Sequence, residues 1–144
     1  MKKMHVNLNV KNLDESVAFY TTLFESSPDV VKPGYVKWML TDPPLNFSLV
    51  VGTEDSYGID HIGFQCDSHE EVKAIGSRLK EKQYAIEEEG DVECCYARSS
   101  KVWTSDPQNV RWENFITVGA SDKLEKDKLE KERIEPAKAC CQPE

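Results

Sequence analysis

The segment HVNLNVKNLDESVAFYTTLF, residues 5–24, decides the fold because it returns in similar form as HIGFQCDSHEEVKAIGSRL, residues 61–79. In each segment a histidine opens a run of alternating polar and apolar residues, which is the pattern of a half-buried strand. A polar turn and acidic residues follow, as a helix N-terminus favours. The repeat therefore predicts two copies of a strand followed by an amphipathic helix.

Each predicted helix is followed by further strand-like runs, and turns containing Asp and Pro separate these runs. With a shift of 55 positions, the apolar helical positions of the first copy fall on those of the second and keep one buried face. These positions are Val17, Tyr20 and Phe24, matched by Val72, Ile75 and Leu79. The pattern predicts an α+β domain made of two βαβββ modules, about residues 3–52 and 58–119.

Length and composition indicate one domain, residues 1–120, followed by a charged and flexible tail, residues 121–144. The chain has 26 acidic and 18 basic residues, and no basic stripe interleaved with aromatic residues is visible, so we expect no nucleic-acid partner. We also expect no membrane span and no signal peptide, which together predict a cytoplasmic protein. The five cysteines then favour soft-metal or redox ligands over a disulfide framework.

Strand alternation predicts which polar side chains can meet. His5 shares one face of its strand with Asn7 and Asn9, and His61 lies on the less apolar face of the matching strand. Glu113, in the run VRWENFITV, shares a side with Phe115. If the two modules form one curved mixed sheet, His5, His61 and Glu113 can converge in its concavity. Two imidazoles and a carboxylate would form a metal site with open positions.

The cysteines suggest a second, soft site. Cys94 and Cys95 are adjacent and precede the last predicted hairpin, and Cys140 and Cys141 form another pair in the tail. Two neighbouring thiolates are suited to a soft, thiophilic element. Cys66 alternates with apolar residues, so we expect it to pack in the core.

These residues make the chain resemble the vicinal oxygen chelate superfamily over roughly residues 3–119, with its cup of paired βαβββ modules. The Cys94-Cys95 pair adds a similarity to organoarsenical carbon-arsenic lyases, which are related to cadmium-induced proteins and extradiol dioxygenases. The resemblance implies Fe(II) at His5, His61 and Glu113, dioxygen as co-substrate, and a trivalent organoarsenical held by Cys94 and Cys95. Cys140 and Cys141 would capture arsenic, and Tyr35, Tyr96 and Trp103 are candidates to line the pocket.

Several alternatives stay open. The sequence position that best matches Glu113 in the first module is Asn46, so we expect three protein ligands and not four. Catechol cleavage is disfavoured, because extradiol enzymes usually place an extra histidine near the metal for proton transfer and the one left here, His69, lies at the exposed-looking start of a helix. A soft-metal binder of the cadmium-induced kind, or an antibiotic-sequestering or thiol-transferase member of the superfamily, would also fit. The donor set accepts divalent metals other than iron, and a homodimer is compatible with the resemblance.

Overall fold

The structure is a computed structural model and describes residues 2–89 and 100–116. The first module contains β1 (Lys3–Val10), α1 (Leu13–Phe24), β2 (Val30–Lys32), β3 (Tyr35–Thr41) and β4 (Pro44–Val51). The second contains β5 (Gly58–Cys66), α2 (His69–Glu81), β6 (Ile86–Glu89), β7 (Lys101–Ser105) and β8 (Arg111–Ile116). A single 3-10 turn, Glu54–Ser56, joins them. The predicted α+β class and the duplicated βαβββ plan are confirmed.

The eight described strands form one curved mixed sheet in the order β2-β3-β4-β1-β5-β8-β7-β6. β1 and β5 pair antiparallel at the centre, and each pairs in parallel with the last strand of its own module. Exchanging the two modules reproduces the same strand order, so an approximate two-fold axis passes between β1 and β5. This axis makes His5 equivalent to His61, because His5 pairs with Gly63 while Asn7 pairs with His61.

Both helices begin where the sequence predicts. The side chain of Asn12 accepts a hydrogen bond from the amide of Glu15 (3.0 Å), and Ser68 does the same for Glu71 (3.2 Å). Each cap satisfies an amide that the first helical turn leaves without a partner. The acidic residues of both first turns also lie at the positive end of the helix dipole.

The apolar core lies between the helices and one face of the sheet. α1 places Tyr20 and Phe24 against Phe47, with ring centroids 4.6 and 5.1 Å apart, and Phe24 also contacts Trp38. Complete burial of a large apolar side chain contributes roughly 1.5–3 kcal/mol, and the partly buried Tyr20 and Phe24 contribute less. A second cluster joins α2 to its half of the sheet and consists of Cys66, Val72, Ile75 and Val102. Cys66 therefore packs in the core, as expected.

The opposite face of the sheet is polar and nevertheless buried. The buried residues His5 and Asn7 on β1, Asn46 and Ser48 on β4, and Glu113 on β8 all lie on this side. Alternation along the strands sends apolar side chains to the helices and polar ones into the concavity. Neither described helix has the length and hydropathy of a membrane-spanning segment.

Candidate metal centre

Three neighbouring strands bring His5, His61 and Glu113 together in the concavity. The Nε2 atoms of the two histidines lie 3.1 Å apart. Oε2 of Glu113 lies 3.4 Å from Nε2 of His5 and 3.0 Å from Nε2 of His61. The side chains of His5 and Glu113 are each 8% exposed and that of His61 is 14% exposed, so all three donor atoms meet away from bulk water.

Gly63 allows this convergence. On β5 it pairs with His5 of β1 on one side and with Glu113 of β8 on the other. A Cβ at this position would overlap the backbone carbonyl oxygen of Glu113. Because residue 63 has no side chain, His5 and Glu113 can meet across the strand that separates them.

The outer nitrogens of both imidazoles have acceptors. Nδ1 of His5 donates to the backbone carbonyl of Asn46 (3.2 Å), and Nδ1 of His61 donates to Oδ2 of Asp60 (2.7 Å). In a neutral imidazole the proton on Nδ1 leaves a lone pair on Nε2. When both imidazoles are in this neutral form, as binding of an ion requires, both Nε2 lone pairs point toward each other and toward a carboxylate oxygen; when Nε2 is also protonated, it donates to Glu113 instead. Partners of this kind fix the tautomer of metal-binding histidines.

A β-bulge places Asp60 beside His61. The pairing of β1 with β5 runs from Asn7 opposite His61 directly to Leu8 opposite Ile59, so Asp60 is the extra residue. Strict alternation would send the Asp60 side chain to the other face of the sheet. The bulge instead lets its carboxylate accept from Nδ1 of His61, and bulges often reorient a side chain next to a functional site.

The spacing of the three donors suits a divalent metal ion. An ion bonded at about 2.1 Å brings neighbouring donors to about 3.0 Å apart at a right angle and about 3.4 Å at the tetrahedral angle. The observed separations of 3.0, 3.1 and 3.4 Å fall in this range. Three electron-rich atoms at these distances repel one another unless a cation or a proton lies among them.

The second oxygen of Glu113 binds a lysine. Nζ of Lys101 lies 2.7 Å from Oε1 of Glu113. Burial alone would raise the pKa of the Glu113 carboxyl, but hydrogen bonds from His5, His61 and Lys101 hold that pKa well below its ordinary value. Burial likewise opposes the charged form of His61, yet Glu113 and Asp60 leave its pKa raised. The carboxylate is therefore ionised throughout the neutral range.

The strand register corrects the predicted match to Glu113 in the first module. Glu113 pairs with Gly63, two residues after His61, and by the two-fold relation its counterpart pairs with Asn7, two residues after His5. That counterpart is Ser48, not Asn46. The sequence does not determine this match, because alternation is unchanged when one strand is shifted by two residues. Neither Ser48 nor Asn46 is a carboxylate, so the expectation of three protein ligands is unchanged.

Other predicted site residues have different positions. Trp103 packs its ring edge-on against His61, with centroids 5.1 Å apart, and Phe115 does the same against His5 at 5.0 Å. Tyr35 is half-buried, and burial together with the charge of Glu113 raises its pKa. His69 is not part of the donor group, and its Nδ1 lies 2.8 Å from the hydroxyl oxygen of Ser100. The remaining predicted residues lie outside the described part of the chain: Cys94, Cys95, Tyr96, Cys140, Cys141 and the tail 121–144.

Sequence reasoning did not find Lys101, Asp60 or the role of Gly63. Lys101 could have been found by counting back from Glu113 once β7 and β8 were paired, because it lies on the same face. Asp60 could not, since nothing in the alternation of β5 signals a bulge. Gly63 had a signal in its lone position among the larger residues of a strand.

A sequence profile described as the glyoxalase/bleomycin resistance protein/dioxygenase superfamily matches residues 4–114. The chain belongs to this superfamily. It is 35% identical over 144 residues to the trivalent organoarsenical cleaving enzyme of Thermomonospora curvata, covering 99% of this chain and 90% of that protein. It is 40% identical over 146 residues to a probable trivalent organoarsenical cleaving enzyme of Bacillus subtilis, covering 98% and 100%.

A third relative is the cadmium-induced protein CadI of Mycobacterium tuberculosis, to which this chain is 33% identical over 122 residues. The alignment covers 85% of this chain and 80% of CadI. Among solved structures, an extradiol ring-cleaving dioxygenase from B. fuscum superposes with a TM-score of 0.59 at 17% identity. That match covers 80% of this chain and 32% of the dioxygenase chain, and it supports the fold alone.

Proposed function

We propose that this protein cleaves the carbon-arsenic bond of trivalent organoarsenicals, with Fe(II) held by His5, His61 and Glu113 and with dioxygen as co-substrate. The observation that carries the proposal is the convergence of these three donors in a polar cup. The relatives named as trivalent organoarsenical cleaving enzymes, which align over nearly the whole chain, supply the substrate class.

The donor set supports an oxygen-activating metal. Two imidazole nitrogens and one carboxylate oxygen are the protein ligands of non-haem Fe(II) oxygenases, in which the remaining coordination positions stay open. When bound, Fe(II) supplies a place where dioxygen is reduced next to the substrate. Asp60 and the carbonyl of Asn46 hold the two imidazoles with their lone pairs toward the ion.

The cysteine pair supplies the second half of the proposal. Trivalent arsenic is thiophilic, so Cys94 and Cys95 would hold it as a dithiolate while its organic group points toward the cup. Cys95 is six residues before Lys101, and an extended chain spans at most about 3.6 Å per residue, which keeps the two Cα atoms within about 22 Å. Since Lys101 contacts Glu113, the length of the connecting chain is compatible with a dithiolate that reaches the metal centre. Positioning of this kind is a large contribution to a reaction between two bound partners.

Dioxygen balances the reaction without a further reductant. For a methyl group, CH3As(OH)2 and O2 contain the atoms of formaldehyde and As(OH)3, so the carbon is oxidised and arsenic remains trivalent. The apolar rings of Trp103 and Phe115 beside the two histidines would exclude water from the reacting atoms. Cys140 and Cys141 would capture arsenical and transfer it to the inner pair.

The test compares two single-substitution variants with the unmodified protein in the aerobic reaction with trivalent methylarsenical. In the Fe(II)-loaded protein, oxygen uptake and release of inorganic arsenite are followed together with arsenical binding. We expect His61→Ala to lose metal and turnover but keep arsenical binding, and Cys95→Ser to keep metal and lose arsenical binding. Cys66→Ala is the matched control, because that thiol lies in the apolar core. Equal loss of metal and arsenical in both variants would contradict the two-site proposal.

The similarity to a cadmium-induced protein supports a second candidate, a soft-metal binder without turnover. In that case Cys94 and Cys95 would bind the soft metal, and the centre at His5, His61 and Glu113 would be structural. Fe(II)-loaded protein that binds trivalent methylarsenical but consumes no oxygen and releases no arsenite would favour the binder.

A further inference from the structure

The contact between Lys101 and Glu113 divides the two oxygens of one carboxylate. Oε1 accepts a hydrogen bond from Nζ of Lys101 at 2.7 Å, whereas Oε2 lies 3.0 Å from His61 and 3.4 Å from His5. The carboxylate side chain is 8% exposed and the lysine side chain is 39% exposed. The more exposed ammonium therefore occupies Oε1, while Oε2 faces the two histidines.

The position of Lys101 on β7 is suited to this contact. Lys101 pairs with Phe115, and Trp103 pairs with Glu113. The lysine side chain therefore reaches diagonally from β7 to Glu113 on the neighbouring strand β8, on the inner face of the sheet. Its ammonium also lies 6.0 Å from the centre of the Phe115 ring, which is within reach of a cation-π attraction. Two partners on β8 thus hold a side chain that would otherwise be mobile.

The two-fold relation provides an internal comparison. In the first module the positions equivalent to Lys101 and Glu113 are Tyr35 and Ser48, and the Ser48 hydroxyl lies near enough to Tyr35 to act on its pKa. Both modules therefore place a diagonal side-chain pair at this point of the fold. The pair is neutral in the first module and ionic only in the module that contributes Glu113 to the donor group.

We propose that Lys101 is a positioning residue for the metal centre: its ammonium holds Oε1 of Glu113 and leaves Oε2 as the single carboxylate oxygen directed at the two histidines. The inference rests on the proposed metal-binding role of His5, His61 and Glu113. Its consequence is that one coordination position, which a carboxylate with two free oxygens would take, is kept for a substrate.

If Lys101 has this role, removing its charge should strengthen metal binding and slow turnover. In Lys101→Met the chain length is nearly kept, but Oε1 becomes free and a positive charge near the ion is lost. Both changes favour tighter binding of a divalent metal, while the lost open position slows turnover. Removing groups that orient metal ligands typically costs roughly 10- to 100-fold in metal affinity or activity, so a gain in affinity would distinguish the role proposed for Lys101. A merely structural role would instead weaken metal binding and turnover together.

The experiment uses Co(II) as the probe, with visible absorption reporting both affinity and coordination. The unmodified protein is titrated first beside His61→Ala, since failure of the unmodified protein to bind Co(II) would refute the metal proposal itself. We then expect Lys101→Met to bind Co(II) more tightly, with an altered spectrum, and to lose about 10-fold or more in kcat with iron. Lys101→Arg keeps charge and donors and should give the spectrum of the unmodified protein.

Two results would overturn the role of Lys101 while leaving the metal proposal intact. The first is an unchanged Co(II) spectrum and affinity in Lys101→Met. The second is weaker Co(II) binding in both the methionine and the arginine variants, accompanied by a lower melting temperature. Circular dichroism of the metal-free variants separates the second result from a specific effect on the carboxylate.

Discussion

The substitution Gly63→Ala tests whether the close approach of β5 and β8 builds the metal centre. The new methyl group would overlap the carbonyl oxygen of Glu113, and the neighbouring atoms in the way are also backbone atoms of Glu113. No rotamer change can relieve an overlap with backbone. The strands must separate by about 1 Å or more, and overpacking of this kind costs about 1–3 kcal/mol.

The same displacement moves Glu113 away from both histidines, because β8 carries the carboxylate. A shift of about 1 Å in a positioned group can cost on the order of 100-fold in function. We therefore expect Co(II) affinity to fall by roughly 10- to 100-fold. The melting temperature should fall by about 3–9 °C, using about 3 °C per kcal/mol for a chain of this size.

Isothermal titration with Co(II) and thermal unfolding followed by circular dichroism measure the two effects. Gly76→Ala is the matched control, since this helical glycine has the Val102 side chain 3.3 Å from the added carbon and lies on the opposite side of the sheet. The control should bind Co(II) normally. If Gly63→Ala binds Co(II) and unfolds like the unmodified protein, the proposed role of the close approach is wrong.

Two further predictions concern the groups around His61. Because its pKa is raised in the folded state, the metal-free protein gains stability from His61 that is complete below pH 6.5 and is lost as pH rises through the raised value. The melting temperature of the metal-free protein should therefore fall as pH rises through this value, whereas that of the Co(II)-loaded protein should rise. His61→Asn should remove this difference. Asp60→Asn keeps an acceptor for Nδ1 but removes its charge, so Co(II) affinity should fall by about 10-fold. Asp55→Asn, in the 3-10 turn, is its control, and equal affinities would contradict the role given to Asp60.

The sequence could predict the parts of the fold that depend on repetition and alternation. The two modules, the buried helix faces and the shared face of His5 and Asn7 all follow from periods of 3.6 and 2 residues. The convergence of His5, His61 and Glu113 also follows, once the two modules are assumed to pair through their first strands.

The remaining features depend on strand register. Alternation predicts the face on which a side chain lies, but a shift of two residues keeps that face, so alternation does not determine which residues pair. The sequence pattern therefore matches Asn46 to Glu113, whereas the register of the strands matches Ser48. The bulge at Asp60 reverses the face of one residue, and no local residue type marks it. The contact of Lys101 with Glu113 requires both the register of β7 against β8 and the direction of a long side chain.

The central antiparallel pair β1–β5 has a consequence for how the molecule holds together. His5 comes from one half of the duplicated chain, whereas His61 and Glu113 come from the other. An ion bound by all three would join the halves at their seam, in addition to the hydrogen bonds between the strands. Neither half, produced as a separate polypeptide, would contain a complete set of donors, and reassembly of the two fragments would become dependent on metal.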